Sequence, residues 1–224
     1  MSHEVIVYGS RALAAMLYED SLRHPDFTIV AFVVDESYLD PSGYYLGLPQ
    51  VGLQSVSDLY PRATYDMMIL ISTYEDMRIR DSMYHSSISL GYPLRNYVSP
   101  SSIVSSHVSM GHNNVIFEQV YMGPQGRMGS FNIIRQHVYI GHDFTIGDRN
   151  VIAPGCKIGG HAHIAHHCYI GIGATLIDHI SIAEESLVGA GSVVIKDTEP
   201  YSRNVGNPSR VISYKQQEGL KVNR

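Results

Sequence analysis

The sequence predicts a small N-terminal α/β Rossmann-like domain followed by a left-handed parallel β-helix. Three observations predict it. Short apolar runs alternate with helix-forming segments up to about residue 96, an aliphatic residue recurs every six positions from Val98 to Val194, and a small residue follows most of those aliphatics. The implied division is 1–96 for the α/β domain, 97–213 for the coil and 214–224 for a polar tail expected to be loose.

In the first part, Val5–Tyr8, Thr28–Val34 and Met67–Ile71 are apolar runs that end at Gly9, Asp35 and Ser72, as buried parallel strands do. Ala12–Leu22 and Glu75–Leu90 read as helices, and Asp40–Leu53, rich in Gly, Pro and Tyr, as a loop without a packed element. Doubly wound sheets bind ligands at the carboxyl ends of their strands, so Gly9, Ser10, Arg11 and Asp35 are expected to contact a substrate.

In the second part, every sixth residue from Val98 is aliphatic without a phase break, for seventeen positions. Neither a strand period of two nor a helical 3.6 produces this. A three-sided prism does, with one short strand per face, a coil of eighteen residues and the aliphatic pointing inward. Residues n and n+18 then stack at roughly 4.8 Å, one strand spacing. One corner column reads Ser106, Pro124, His142, Gly160, Asp178, and its neighbour reads His107, Gln125, Asp143, His161, His179. Another holds Gly155, Gly173 and Gly191, where a thin ligand could approach the backbone. Cys156 and Cys168 fall at inward positions on different faces, as core fillers and not as a disulfide or metal pair.

Composition narrows the function. A formal charge of −5 with 16 Lys and Arg, none in a dense run, argues against nucleic acid as a partner. The apolar run near the start is too short for a signal peptide or membrane span, so a cytoplasmic protein is expected. His142 could act as a general base, Asp143 could fix its tautomer, and the Gly160 amide could donate to an oxyanion. On spacing alone, His142 reads equally well as one of twelve histidines on a polar surface.

Residues 98–195 resemble the hexapeptide-repeat acyltransferases, and Phe131–Ile212 are similar to bacterial sugar acyltransferases of the sialic acid O-acetyltransferase and bacillosamine N-acetyltransferase type. The resemblance rests on Tyr139-Ile-Gly-His-Asp-Phe-Thr-Ile-Gly-Asp148, Ile170-Gly-Ile-Gly-Ala174, Val188-Gly-Ala-Gly-Ser192 and Gly206-Asn-Pro-Ser-Arg-Val-Ile212. It implies that His142 is the catalytic base, with Asp143 beside it and the Gly160 amide at the acyl carbonyl. Gly155, Gly173 and Gly191 would line the coenzyme A groove, Asn150 and His161 would lie near the acyl end, and Lys196, Pro208 and Arg210 near the nucleotide end. Acetyl-CoA is the implied co-substrate, a nucleotide-linked amino sugar the acceptor, a homotrimer the assembly, and O-acetylation of a sugar the alternative. The prism also carries zinc-dependent γ-class carbonic anhydrases, and His107/His112, His137/His142 and His161/His166 are each five apart. Five residues carry the chain to another corner, so such pairs cannot grip one ion and no metal is expected.

Overall fold

The computed structural model describes residues 3–71, 77–217 and 219–222. The chain divides into two compact units, Met1–Thr73 with Ile79–Asn96, and Tyr74–Arg78 with Tyr97–Arg224.

The first unit is built on a sheet containing β1 (His3–Tyr8), β2 (Phe27–Val34), β3 (Tyr44–Tyr45), β4 (Leu48–Gly52) and β5 (Asp66–Ile69). Its spatial order is β3-β4-β2-β1-β5, with every pairing parallel except β3 to β4. The helix α1 (Ala12–Ser21) connects β1 to β2, and α2 (Val56–Leu59) precedes β5. Val5, Ile6, Val7, Ala31, Phe32 and Val33 are buried, which is why these strands read as unbroken apolar runs. The segment 40–53, expected to be a loop, instead holds the hairpin of β3 and β4. Leu46 and Gly47 turn it at positive φ, and β4 joins the sheet beside β2. Pro49 faces only the short β3, an edge position that tolerates a missing donor. Met77–Ile88 forms α3; Ser72 and Glu75, where the sequence reading ends a strand and starts this helix, lie outside the described residues.

The second unit is a three-sided coil of stacked parallel strands that fits a left-handed parallel β-helix. Each of the seventeen aliphatics ends a two-residue strand, from Tyr97–Val98 to Val193–Val194. Register is eighteen residues among these two-residue strands: Tyr121 pairs with Tyr139, Tyr139 with Lys157 and Lys157 with Thr175 on one face. The other faces follow the same step. From Asn114 onward the residue two before each aliphatic is also buried, and in the column Gly126, Phe144, Ala162, Ile180 small and large residues alternate. A Cβ on Gly126 would fall 2.0 Å from the Phe144 ring stacked on it. At most corners the third residue after the aliphatic adopts left-handed backbone, including Asp143, Arg149, His161 and His179. That conformation costs an L-residue about 1–2 kcal/mol. Here it aims the amide at the previous coil, as where Asp143 N donates to Pro124 O and His161 N to His142 O, both at 2.9 Å.

Two expectations fail in this unit. Asn150, assigned to the coenzyme, is fully enclosed in the coil as part of a stack with Asn114 and Asn132. Its amide donates to Asn132 Oδ1 at 2.9 Å, and its own Oδ1 accepts from Cys168 N at 2.7 Å. An inward position turns an asparagine into a support between coils and hides it from any external ligand. Described residues of the tail after Tyr214, expected to be loose, contact the rest of this unit. Lys215 N donates to Tyr201 O, Arg78 donates to the carbonyls of Gln216 and Gln217, and Leu220 is buried with its carbonyl accepting from Met77 N. Among the described residues, no helix is long and apolar enough to cross a membrane.

Candidate active site

The coil brings four of the expected site residues to one corner. His142 and Asp143 turn the chain between strands Tyr139–Ile140 and Thr145–Ile146, and Gly160 and His161 turn it one coil later. Left-handed backbone at Asp143 folds its carboxylate back toward the preceding ring, so His142 Nδ1 lies 2.8 Å from Asp143 Oδ2. A carboxylate only accepts, so Nδ1 carries the proton and donates it; Nε2 of the neutral ring is left with its lone pair. The ring leans over Gly160, where a Cβ would sit 2.9 Å from Nε2. His161 meets His142 edge-on with ring centroids 4.9 Å apart, and His179, one coil further, stacks on His161 at 4.5 Å.

Gly160 N, expected to be open to an acyl oxygen, donates to Asp178 Oδ1 at 2.6 Å. Asp178 stands next in the column after Gly160, so the eighteen-residue register contained the signal. The described His/Cys/Asp/Glu side chains contain one group of three able to surround an ion: His142, Asp143 and His161, whose donor atoms lie within 4.8 Å of one another. The histidine pairs five residues apart do not meet in this way, because His137 turns the corner of Gly155 while His142 turns the next.

The remaining expected residues lie elsewhere. Gly155, Gly173 and Gly191 occupy a different corner, between the strands ending at Ile152, Ile170 and Val188 and those that follow. Each has left-handed backbone, with φ of +72°, +67° and +66°, and open space where a Cβ would be. Other corners accept Asp, His or Arg in this conformation, so these glycines keep the surface bare as well as easing the turn. Lys196 is exposed and continues the column of His142, Gly160 and Asp178. Pro208 and Arg210 are exposed near the end of the coil, with the Arg210 guanidinium donating to Ser209 O at 2.8 Å.

Gly9, Ser10, Arg11 and Asp35 gather at the carboxyl ends of β1 and β2 in the first unit. Gly9 has φ of +140°, and a Cβ there would fall 2.4 Å from Leu70 O, so only glycine fits this exit from β1. Tyr8 donates to Asp35 Oδ1 at 2.9 Å; burial, reinforced by that bond, pushes its phenol well above the usual range. The Arg11 guanidinium lies 5.8 Å from the centre of the Tyr38 ring, with its outer donors unclaimed by that contact.

Neither cysteine can serve as an acyl carrier, since both are fully buried. Burial pushes the Cys156 thiol up to about 11 and the Cys168 thiol up to about 12.

No protein-family model matches the chain, and no curated protein matches it. Solved structures do. PerB from Caulobacter crescentus, in complex with CoA and GDP-perosamine, is 23% identical over 95% of this chain and 98% of its own, with a TM-score of 0.81. The acetyltransferase domain of PglB from Neisseria gonorrhoeae, in complex with acetyl coenzyme A, is 19% identical over 95% of this chain and 100% of its own, with a TM-score of 0.83. WeeI from Acinetobacter baumannii is 22% identical over 94% of this chain and 100% of its own, with a TM-score of 0.76. Over 95% of its length, this chain has the fold of the perosamine N-acetyltransferase and of the PglB acetyltransferase domain.

Proposed function

We propose that the protein is an acetyl-CoA-dependent N-acetyltransferase acting on a nucleotide-linked amino sugar of the 4-amino-4,6-dideoxy class, as a cytoplasmic homotrimer. The observation that carries this is the His142–Asp143 pair at 2.8 Å, which fixes the ring and leaves Nε2 as a base above Gly160. The sugar amine attacks the thioester carbonyl while Nε2 takes its proton. Collapse of the tetrahedral intermediate breaks the C–S bond, and the imidazolium returns the proton to the departing coenzyme thiolate. No acyl-enzyme forms, in keeping with the two buried, neutral cysteines. The Gly160 amide donates to the acyl oxygen once Asp178 swings away.

The coenzyme A and GDP-perosamine held by the Caulobacter protein support this choice of substrates. The α/β unit, read as a Rossmann-like nucleotide-sugar domain, presents Gly9, Ser10 and Arg11 to the phosphates and Asp35 to a hydroxyl or base edge. Coenzyme A follows the bare column of Gly155, Gly173 and Gly191, with Lys196, Pro208 and Arg210 at its nucleotide end. Because His142 and the glycines occupy different corners of one prism, a coenzyme touching both needs the neighbouring subunit of the trimer.

The test is thiol release from acetyl-CoA with a panel of nucleotide-linked sugars. Acetylation of a 4-amino sugar, located by mass spectrometry of the product, is the expected outcome. Transfer only to hydroxyl acceptors would move the protein to the O-acetyltransferases, and release with none of the panel would remove the nucleotide sugar from the proposal.

A further inference from the structure

The His142 corner carries more ligating atoms than a proton transfer needs. One base and one carboxylate suffice for the chemistry above, yet a third donor, on His161, stands within 4.8 Å of both. His161 is held in place from behind by the stacked ring of His179, with an interplanar angle of 8°. We propose that this triad is a binding site for a divalent transition-metal ion, with zinc the best fit, and that the ion inhibits acetyl transfer by taking the lone pairs the base must use. The proposal deepens the reading of His142 as the base and rests on it for the inhibition, although not for the binding.

The donor set is that of a borderline-soft ion: two imidazoles and one carboxylate, with solvent available for the fourth position. Donors on a tetrahedral zinc are about 3.4 Å apart, given bonds of about 2.0–2.2 Å. The three groups reach this separation by small side-chain rotations, since His142 and His161 are exposed and Asp143 is about one-third exposed. The coil backbone beneath them is fixed by the amides of Asp143 and His161, which donate to the coil before at 2.9 Å each. A rigid backbone that gathers three donors at one corner suits capture of an ion in a way that the histidine pairs on separate corners do not. Binding takes the free imidazole lone pairs and draws the Asp143 carboxylate away from Nδ1, so an occupied site cannot accept the proton of an attacking amine.

Isothermal titration of EDTA-treated, dialysed full-length protein with zinc chloride tests the site. It is run before coenzyme is added, because the coenzyme's thiol also holds zinc. We expect one ion per chain with a dissociation constant in the micromolar range, at least tenfold weaker binding in His161→Gln and in Asp143→Asn, and unchanged binding in His163→Gln, on an outer face of the coil. Initial rates with acetyl-CoA should fall with zinc occupancy and recover with EDTA. Absence of a stoichiometric site, or binding that His161→Gln leaves intact, would overturn the metal site while leaving the acetyltransferase reading untouched. Stoichiometric binding lost in His161→Gln but without inhibition would keep the site and instead overturn His142 as the base.

Discussion

Two corners of the coil carry a histidine beside an aspartate, and they are built differently. His142 and Asp143 lie 2.8 Å apart on one; His166 and Asp148 lie 3.1 Å apart on another. Exposure does not separate them, with side chains 54% and 36% exposed in the first pair and 49% and 37% in the second. The ladders beneath do. At the second corner, each side chain caps the amide one coil back: Ser130 Oγ accepts from His112 N, Asp148 Oδ1 from Ser130 N, and His166 Nδ1 from Asp148 N at 2.9 Å. An imidazole whose Nδ1 accepts keeps its proton on Nε2 and presents a donor outward. At the first corner, Gly160 interrupts the ladder, having no side chain to cap His142. The ring of His142 folds into the vacated space and bonds to its own neighbour. A single glycine thus separates a structural histidine from one with a free lone pair.

Replacing each histidine by alanine should separate the roles most widely. His142→Ala is expected to lower kcat by about 10²–10⁴-fold, the usual contribution of a general base, with little change in thermal midpoint. His166→Ala should leave kcat within a few-fold and cost about 0.5–1.5 kcal/mol of stability through the lost cap on Asp148. Steady-state kinetics beside thermal denaturation reads both. Equal losses of activity in the two variants would erase the distinction between the corners.

The coil was legible because its signal is periodic: one aliphatic per six residues determines strand positions, and the eighteen-residue step determines which residues are neighbours. His142, Asp143, Gly160 and His161 came together on that arithmetic alone. The same arithmetic aligns Asn114, Asn132 and Asn150, and an identical polar residue repeated at inward positions is the mark of a buried ladder. The resemblance places Asn150 near the coenzyme, whereas its column marks it as part of this ladder. Asp178 on the Gly160 amide was similarly available in the register. The hairpin at 44–52 and the anchored tail were hidden for another reason. The hairpin strands are too short to show alternation, and the tail is held by backbone carbonyls and one leucine, neither of which leaves a pattern in sequence.

Restoring a side chain at the interruption sharpens the comparison. Gly160 is not at a left-handed position, so alanine is conformationally acceptable there, but its Cβ would meet His142 Nε2 at 2.9 Å and Cε1 at 3.0 Å. The exposed ring can yield by a few tenths of an ångström, so folding should be nearly unaffected while the base moves. Since a misplacement of about 1 Å costs roughly 10²-fold, Gly160→Ala should lower kcat by about tenfold. Unchanged turnover would mean that the ring's position over this glycine is immaterial to the chemistry.

The smallest effect concerns Asp178, where activity and stability should move in opposite directions. Its carboxylate bonds to the Gly160 amide at 2.6 Å, so the donor proposed for the acyl oxygen is already engaged. Asp178→Ala removes a charge-assisted bond and should cost about 1–2 kcal/mol of stability. The freed amide should meanwhile raise kcat/KM for acetyl-CoA by about threefold, since the acyl oxygen no longer competes with a carboxylate for it. Asp178→Asn keeps an acceptor oxygen in the same place and should resemble the parent in both measurements. A variant that loses turnover along with thermal stability would instead make Asp178 a structural cap, like Asp148 at the other corner, and leave the oxyanion without this donor.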